Sequence, residues 1–211
     1  MKVREGIHTY DLDWTEGEPL SVHVVETNDA NVLFGGGDEF TADELLAIAR
    51  KHNVEVLIVE HGDVDHYEGA KLLADQLDLT IAVPEGDEHF LTDAGIEVDI
   101  PLEADREYWE ILTISAPGHT PDNMAYLYED TIIAGDTVVG SDSVFAADIE
   151  WDGELAVITP DWNFDDEQMK SSVANLLQYD FESVLVTHGS NVYESGKKEL
   201  QHLVETLKEQ S

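Results

Sequence analysis

The chain contains no cysteine, which rules out a disulfide framework, a Cys₄ zinc site, a thiolate nucleophile and a thiolate-held iron–sulfur cluster. Positive charge is scarce: 10 Lys and Arg stand against 47 Asp and Glu, a formal net charge of −37. Nucleic-acid affinity rests on cations that neutralise phosphates, so DNA and RNA are not expected partners. No apolar run approaches the ~20 residues of a membrane span. The opening Met1-Lys2-Val3-Arg4-Glu5-Gly6 does not begin a signal peptide, so a cytoplasmic protein with no membrane partner is expected.

The acids recur from Glu5 to Glu209, between apolar runs such as VEVLIVE and SVLVT. A disordered acidic chain would lack those runs. With 211 residues, 42% of them hydrophobic, the chain reads as a single domain, 1–211, with an acid-coated surface. Such a surface repels itself in dilute buffer. It is screened at ~1 M salt, where the Debye length is about 3 Å, and this points to a salt-accumulating cell.

Alternating apolar residues predict strands at IHTYDLDW, SVHVVET and NVLFG, with turns at Glu16-Gly17-Glu18-Pro19 and Asn28-Asp29. Gly35-Gly36-Gly37 interrupts the pattern. Thr41-Ala42-Asp43-Glu44 has the form of a capping box ahead of the helical stripe Leu45, Leu46, Ile48 and Ala49. VEVLIVE reads as a buried strand, 68–77 as a helix, LTIAV as a strand, and the segment around Phe90 and Leu91 as a short helix. In the second half, strand YWEILTIS and hairpin NMAYLYEDTIIAG precede an irregular stretch from Gly140 to about Pro160. A helix over 165–178, strand SVLVT and a helix from about Lys197 to Lys208 follow. Strands and helices in both halves predict a layered α/β protein.

Four apolar strands each run into His or Asp. VEVLIVE leads to His61-Gly62-Asp63-Val64-Asp65-His66, EILTIS through Ala116-Pro117-Gly118 to His119, TIIAG to Asp136, and SVLVT to His188. Sites converge at strand ends, where the sheet fixes the backbone and loops carry the side chains. In an extended segment His61, Asp63 and Asp65 face one side, while His66 turns into the following helix. Two His and two Asp in six residues exceed what one tetrahedral ion needs, so two ions are expected. Taken singly, Asp65 with Glu68 reads equally as a helix cap, His119 as a turn residue and Asp136 as a loop cap. His8, His23, His52, His89 and His202 occupy no such strand ends and read as surface or core histidines.

Taken in order, VEHGDVDHYEGA, APGHTPDNMAY, IIAGDTVVG and LVTHGS resemble the metallo-β-lactamase superfamily, from about Val32 to His188. Its hallmark is His-x-His-x-Asp-His, then single His, Asp and His residues after later strands. The resemblance implies an αββα sandwich. It also implies one metal site of His61, Asp63 and His119 and a second of Asp65, His66 and His188, with Asp136 between the ions. Gly135-Asp136-Thr137 and Pro117-Gly118-His119-Thr120-Pro121 are most similar to the glyoxalase II-like branch. Asp63 stands where the usual pattern has His, making that site harder and more anionic. Gly35 stands where a supporting Asp is usual, a loss expected to loosen the metal loop.

The implied function is hydrolysis. Two divalent ions, zinc first with iron or manganese as alternatives, would turn water into hydroxide for attack on an ester, thioester or lactone carbonyl. Asp65 would orient that nucleophile as the catalytic carboxylate. Segments 60–69, 116–123, 135–153 and 188–196 contain no Lys or Arg, so a small neutral or weakly anionic substrate is expected. Tyr67, Phe145, Trp151, Trp162 and Tyr193 are candidates for a pocket wall or for core packing. No length remains after the last helix for the helical substrate domain of full glyoxalase II enzymes, so glutathione thioesters are not the expected substrates. The competing implication is iron-based redox chemistry, as in oxygen or nitric oxide reductases and sulfur dioxygenases of the same fold.

Overall fold

The computed structural model describes residues 2–15, 18–148 and 152–209, the side chains of Lys2 and Val3 excepted. Glu16 and Gly17 of the first expected turn, and Trp151, lie outside the described residues. The chain divides into two compact units, 1–110 and 111–211.

In the first unit β1 (Lys2–Arg4), β2 (Ile7–Thr15), β3 (Glu18–Glu26) and β4 (Asn31–Phe34) pair antiparallel in sequence order. The sheet then becomes parallel through β5 (Val56–Ile58), β6 (Thr80–Pro84) and β7 (Ile100–Leu102), giving seven strands in chain order. Parallel neighbours need a crossover. It is supplied by α1 (Ala42–His52), by α2 (Val64–Tyr67) with α3 (Ala70–Gln76), and by α4 (Glu88–Asp93). The apolar stripe Leu45, Leu46, Ile48 and Ala49 of α1 packs with Val22, Leu33, Leu57 and Ile81 of the sheet. Each fully buried Leu or Ile there contributes about 1.5–3 kcal/mol.

Three local expectations change here. The capping box does not form: Thr41 precedes α1, but its hydroxyl bonds the Asp38 backbone, while the Asp38 carboxylate accepts the amides of Phe40 and Thr41. The helix expected over 68–77 starts at Val64 and breaks at Gly69, whose amide donates to Gly37 O at 3.0 Å. Strand YWEILTIS is interrupted, because Trp109 and Glu110 take left-handed φ values of 51° and 64°. They separate β8 (Glu107–Tyr108) from β9 (Ile111–Ser115).

The second unit pairs β9, β10 (Met124–Tyr128) and β11 (Thr131–Ile133) antiparallel, turning at Glu129, whose φ is 51°. The stretch read as irregular holds the small antiparallel pair β12 (Val139–Gly140) and β13 (Leu155–Ala156). α5 (Asp166–Leu176) starts where Asp165 accepts the Gln168 amide at 3.0 Å. Then β14 (Ser183–Leu185) returns parallel to β11, and α6 (Gly196–Glu209) ends the described chain. This unit has its own core, in which Met169, Val173 and Leu176 of α5 and Leu200, Leu203 and Val204 of α6 meet Ile132 and Val184.

Candidate metal centre

The first unit places His61, Asp63, Asp65 and His66 directly beyond β5. The ladder continues past that strand, with Gly35 N donating to Ile58 O and Val59 N to Ala82 O, so the segment leaves from fixed backbone. The buried Asp87 then accepts the Gly62 amide at 2.9 Å. Asp63 is the extended residue before α2, and its carbonyl accepts the His66 amide. His61 and His66 are fully buried with ring centroids 3.9 Å apart, whereas Asp63 and Asp65 are half-buried. His61 Nε2 stands 3.6 Å from Asp63 Oδ2.

Glu60, wholly buried, stands behind this cluster with Oε2 3.3 Å from His66 Nδ1. The carboxylate takes the Nδ1–H and leaves Nε2 as the atom that could ligate an ion, an arrangement like that of metal-bound imidazoles. Its other oxygen has no hydrogen-bond partner among the described residues. A buried carboxylate is costly unless positive charge stands near, and a cation on His66 would supply it. At Gly35, φ is +91° and an added Cβ would lie 3.0 Å from Val22 Cγ1, so a side chain is strained there. The same added Cβ would lie 3.8 Å from Glu60 Oε1, so the Glu60 carboxylate, two residues past β5, lies beside the position where a supporting Asp is usual. Sequence reasoning passed over Glu60 because it closes an apolar strand and reads as its polar boundary.

Tyr67 follows His66. Burial raises its hydroxyl above the usual tyrosine range, and the charges of Glu68 and Asp63 raise it further. It stays protonated at neutral pH and does not serve as a base.

The second unit gathers His119, Asp136 and His188 from three strand ends. β11 and β14 are parallel with Ile133 opposite Leu185, and Asp136 and His188 each lie three residues beyond that pair. β9 runs in the same direction as β11, because both are antiparallel to β10, so His119 emerges at the same edge. Asp136 Oδ2 is 3.6 Å from both His119 Nε2 and His188 Nε2, and all three residues are buried. Asn163 Oδ1 accepts His119 Nδ1–H at 3.4 Å. The Asn163 amide orientation follows from its Nδ2, which donates to Ile158 O and Asp166 Oδ1. That leaves His119 Nε2 as the atom that could ligate an ion.

The loops around these residues are tied down. Phe164 N and Asp165 N donate to His119 O and Gly118 O, and Ser172 Oγ donates to Pro117 O. Asn123 Nδ2 bridges Ala116 O and Thr137 Oγ1 beside Asp136. After His188, Asp142 accepts the Ser190 amide at 2.8 Å and its hydroxyl at 2.7 Å. Burial opposes ionisation of Asp142, yet these bonds hold its carboxyl below the usual range. Phe145 lies 4.7 Å from the His188 ring and edge-on to the exposed Trp162, while Tyr193 is half-buried.

A separation of 3.6 Å is too long for a hydrogen bond. It does fit the ligand–ligand edge, about 3.3–3.6 Å, of a tetrahedron built on metal bonds of about 2.0–2.2 Å. Each unit thus carries a donor set suited to divalent ions on chemistry and spacing.

No family model matches the chain, and no curated protein matches it either. Solved structures do. A metallo-β-lactamase from Pontibacter korlensis aligns with TM-score 0.73 at 18% identity, covering 99% of this chain and 97% of that one. The metallo-β-lactamase FIM-1 from Pseudomonas aeruginosa, in its mono-zinc form, gives 0.73 at 15% identity, covering 98% and 93%. A point mutant of a flavo-di-iron protein from Thermotoga maritima gives 0.66 at 17% identity, covering 94% of this chain and 58% of that one. The chain therefore has the α/β fold of the metallo-β-lactamases.

Proposed function

We propose that the two clusters form one binuclear metal centre and that residues 1–211 work as a single domain. In this reading the chain is a metal-dependent hydrolase of the glyoxalase II-like branch. The observation that carries it is the 3.6 Å spacing of His and Asp donor atoms at strand ends in both units. His61, Asp63 and His119 hold one ion, Asp65, His66 and His188 the other, and Asp136 lies between them. Zinc is the first choice, since imidazole nitrogens dominate the set and the FIM-1 neighbour is described in a zinc form. The ions, when bound, lower the pKa of water towards neutrality and polarise a carbonyl oxygen.

The protein's own groups do the rest. Glu60 and Asn163 hold the His66 and His119 rings in the tautomer that presents Nε2. The Asp65 carboxylate orients the attacking water and carries its proton to the leaving group. Phe145 and Trp162 offer an aromatic wall beside His188. The candidate loops contain no Lys or Arg to meet a phosphodiester or a multiply charged anion. The substrate is a small neutral or weakly anionic ester, thioester or lactone, and the setting is the cytoplasm of a salt-accumulating cell. Among the described residues no helix is long and apolar enough to cross a membrane.

The second reading is iron-based redox chemistry, favoured by the carboxylate at Asp63 and by likeness to the flavo-di-iron protein. Metal analysis of protein purified in molar KCl without chelator, followed by an ester, thioester and lactone panel, separates the two. The hydrolase reading expects about two zinc ions per chain and turnover on one carbonyl class, both diminished in His119→Ala. Iron with an oxo-bridge absorption and no hydrolysis overturns it.

A further inference from the structure

The first unit carries another group of imidazoles, remote in sequence from the strand-end residues above. His8 on β2 lies opposite Val24 on β3, so His8, Val24 and Glu26 share one face of the sheet. Tyr10 shares it too, and His52, the last residue of α1, reaches this face. His8 Nε2 is 3.3 Å and His52 Nδ1 3.2 Å from the same oxygen, Glu26 Oε1, and the two rings lie 4.5 Å apart. The three ligand atoms all lie within 4.8 Å of one another.

His52 Nδ1 lies within hydrogen-bond reach of Glu26 Oε1, and the same spacings of 3.2 and 3.3 Å also match the edge of about 3.3 Å expected around a tetrahedral ion with bonds near 2.0 Å. The outer contacts agree. Tyr10 Oη lies 2.6 Å from His52 Nε2 and accepts from Lys51 Nζ at 2.8 Å. An imidazole that ligates through Nδ1 keeps its proton on Nε2 and needs an acceptor there, which Tyr10 provides. His52 also ends α1, where the negative end of the helix dipole favours a cation. The sequence hid the group because its members come from two strands and a helix, with no short spacing to betray them.

We propose that His8 Nε2, His52 Nδ1 and Glu26 Oε1 form a separate site for a borderline divalent cation, zinc above all, with its fourth position open to water. The Glu26 side chain is 43% exposed, which leaves an entry path. The ion clamps the end of α1 to β2 and β3. The proposal stands independently of the hydrolase reading, since it uses none of those ligands.

The test is zinc titration of the full chain after chelator treatment, with bound metal measured per chain. Wild type is expected to take up one equivalent more than His8→Gln, and that difference should persist in a His61→Ala/His188→Ala background. Long-range ¹H–¹⁵N spectra of wild type provide a readout that needs no variant. Zinc should shift His52 Nδ1 to the position of a ligated nitrogen and leave the proton on Nε2. Equal stoichiometry in wild type and His8→Gln, or an unmoved His52 Nδ1, overturns the proposal in favour of a proton-sharing His–Glu–Tyr network.

Discussion

In the first unit His61, Asp63, Asp65 and His66 come from one stretch of chain after β5, steadied by Glu60 and Asp87. In the second, His119, Asp136 and His188 come from three strand ends whose spacing is set by sheet pairing. The local cluster depends on the charge and hydrogen bonds immediately behind it. The dispersed cluster depends on the backbone of a whole unit. Changes of equal chemical size should therefore act differently: on metal affinity in the first unit, on folding in the second.

The largest expected effect is structural and falls in the second unit. Gly118 has φ +135°, and a Cβ there would collide with the backbone of Met169 in α5. Gly118→Ala should cost about 3 kcal/mol or more, combining left-handed strain with a collision against backbone. Amide exchange should show protection lost over β9–β14 and kept over β2–β6. Uniform loss in both units would erase the distinction.

Glu60→Gln probes the local cluster more gently. It keeps an acceptor for His66 Nδ1–H but removes a buried charge. Metal affinity should fall about 10–100-fold. The metal-free melting temperature should hold or rise, because a desolvated carboxylate is gone. A metal-free protein that melts well below wild type would make Glu60 a folding residue instead.

The smallest effect concerns Asp142, which pins the loop after His188. Its folded-state carboxyl titrates below the usual value of 3.8. Its stabilisation is therefore present above the unfolded pKa and is lost as pH falls through the folded one. Asp142→Asn should lower the melting temperature most at pH 7 and flatten its fall between about 5 and 3, the two proteins converging at low pH. An unaltered slope would remove Asp142 from the pH response.

The clustered His and Asp positions were legible because each lies just past an apolar run, a pattern that survives uncertainty about helix and strand boundaries. What escaped was non-local. Glu60 matters through Gly35 on the adjacent strand, and His8, Glu26 and His52 meet only after β2, β3 and α1 have packed. The interruption at Trp109 and Glu110 was hidden because aromatic and charged residues rarely adopt left-handed backbone. Thr41 and Glu44 fit a capping box, but Asp38, three residues upstream of Thr41, competes for the same turn. IPL at β7 was too short to show any period, and its pairing with Ala82–Pro84 decides it.

The parallel pairing of β11 and β14 reaches beyond the ligands it spaces. Asp136 and His188 are held apart by a ladder that closes at Ile133 and Leu185, wherever the intervening chain travels. The aromatic pair Phe145 and Trp162 can change without altering that ruler, whereas Asp142, Asn163 and α5 on the same stretch tie down the loops of His188 and His119. Under the hydrolase reading, exchanging those aromatics would alter which molecule is admitted while the donor spacing stays the same. Donor spacing and aromatic wall are thus set by different stretches of one chain.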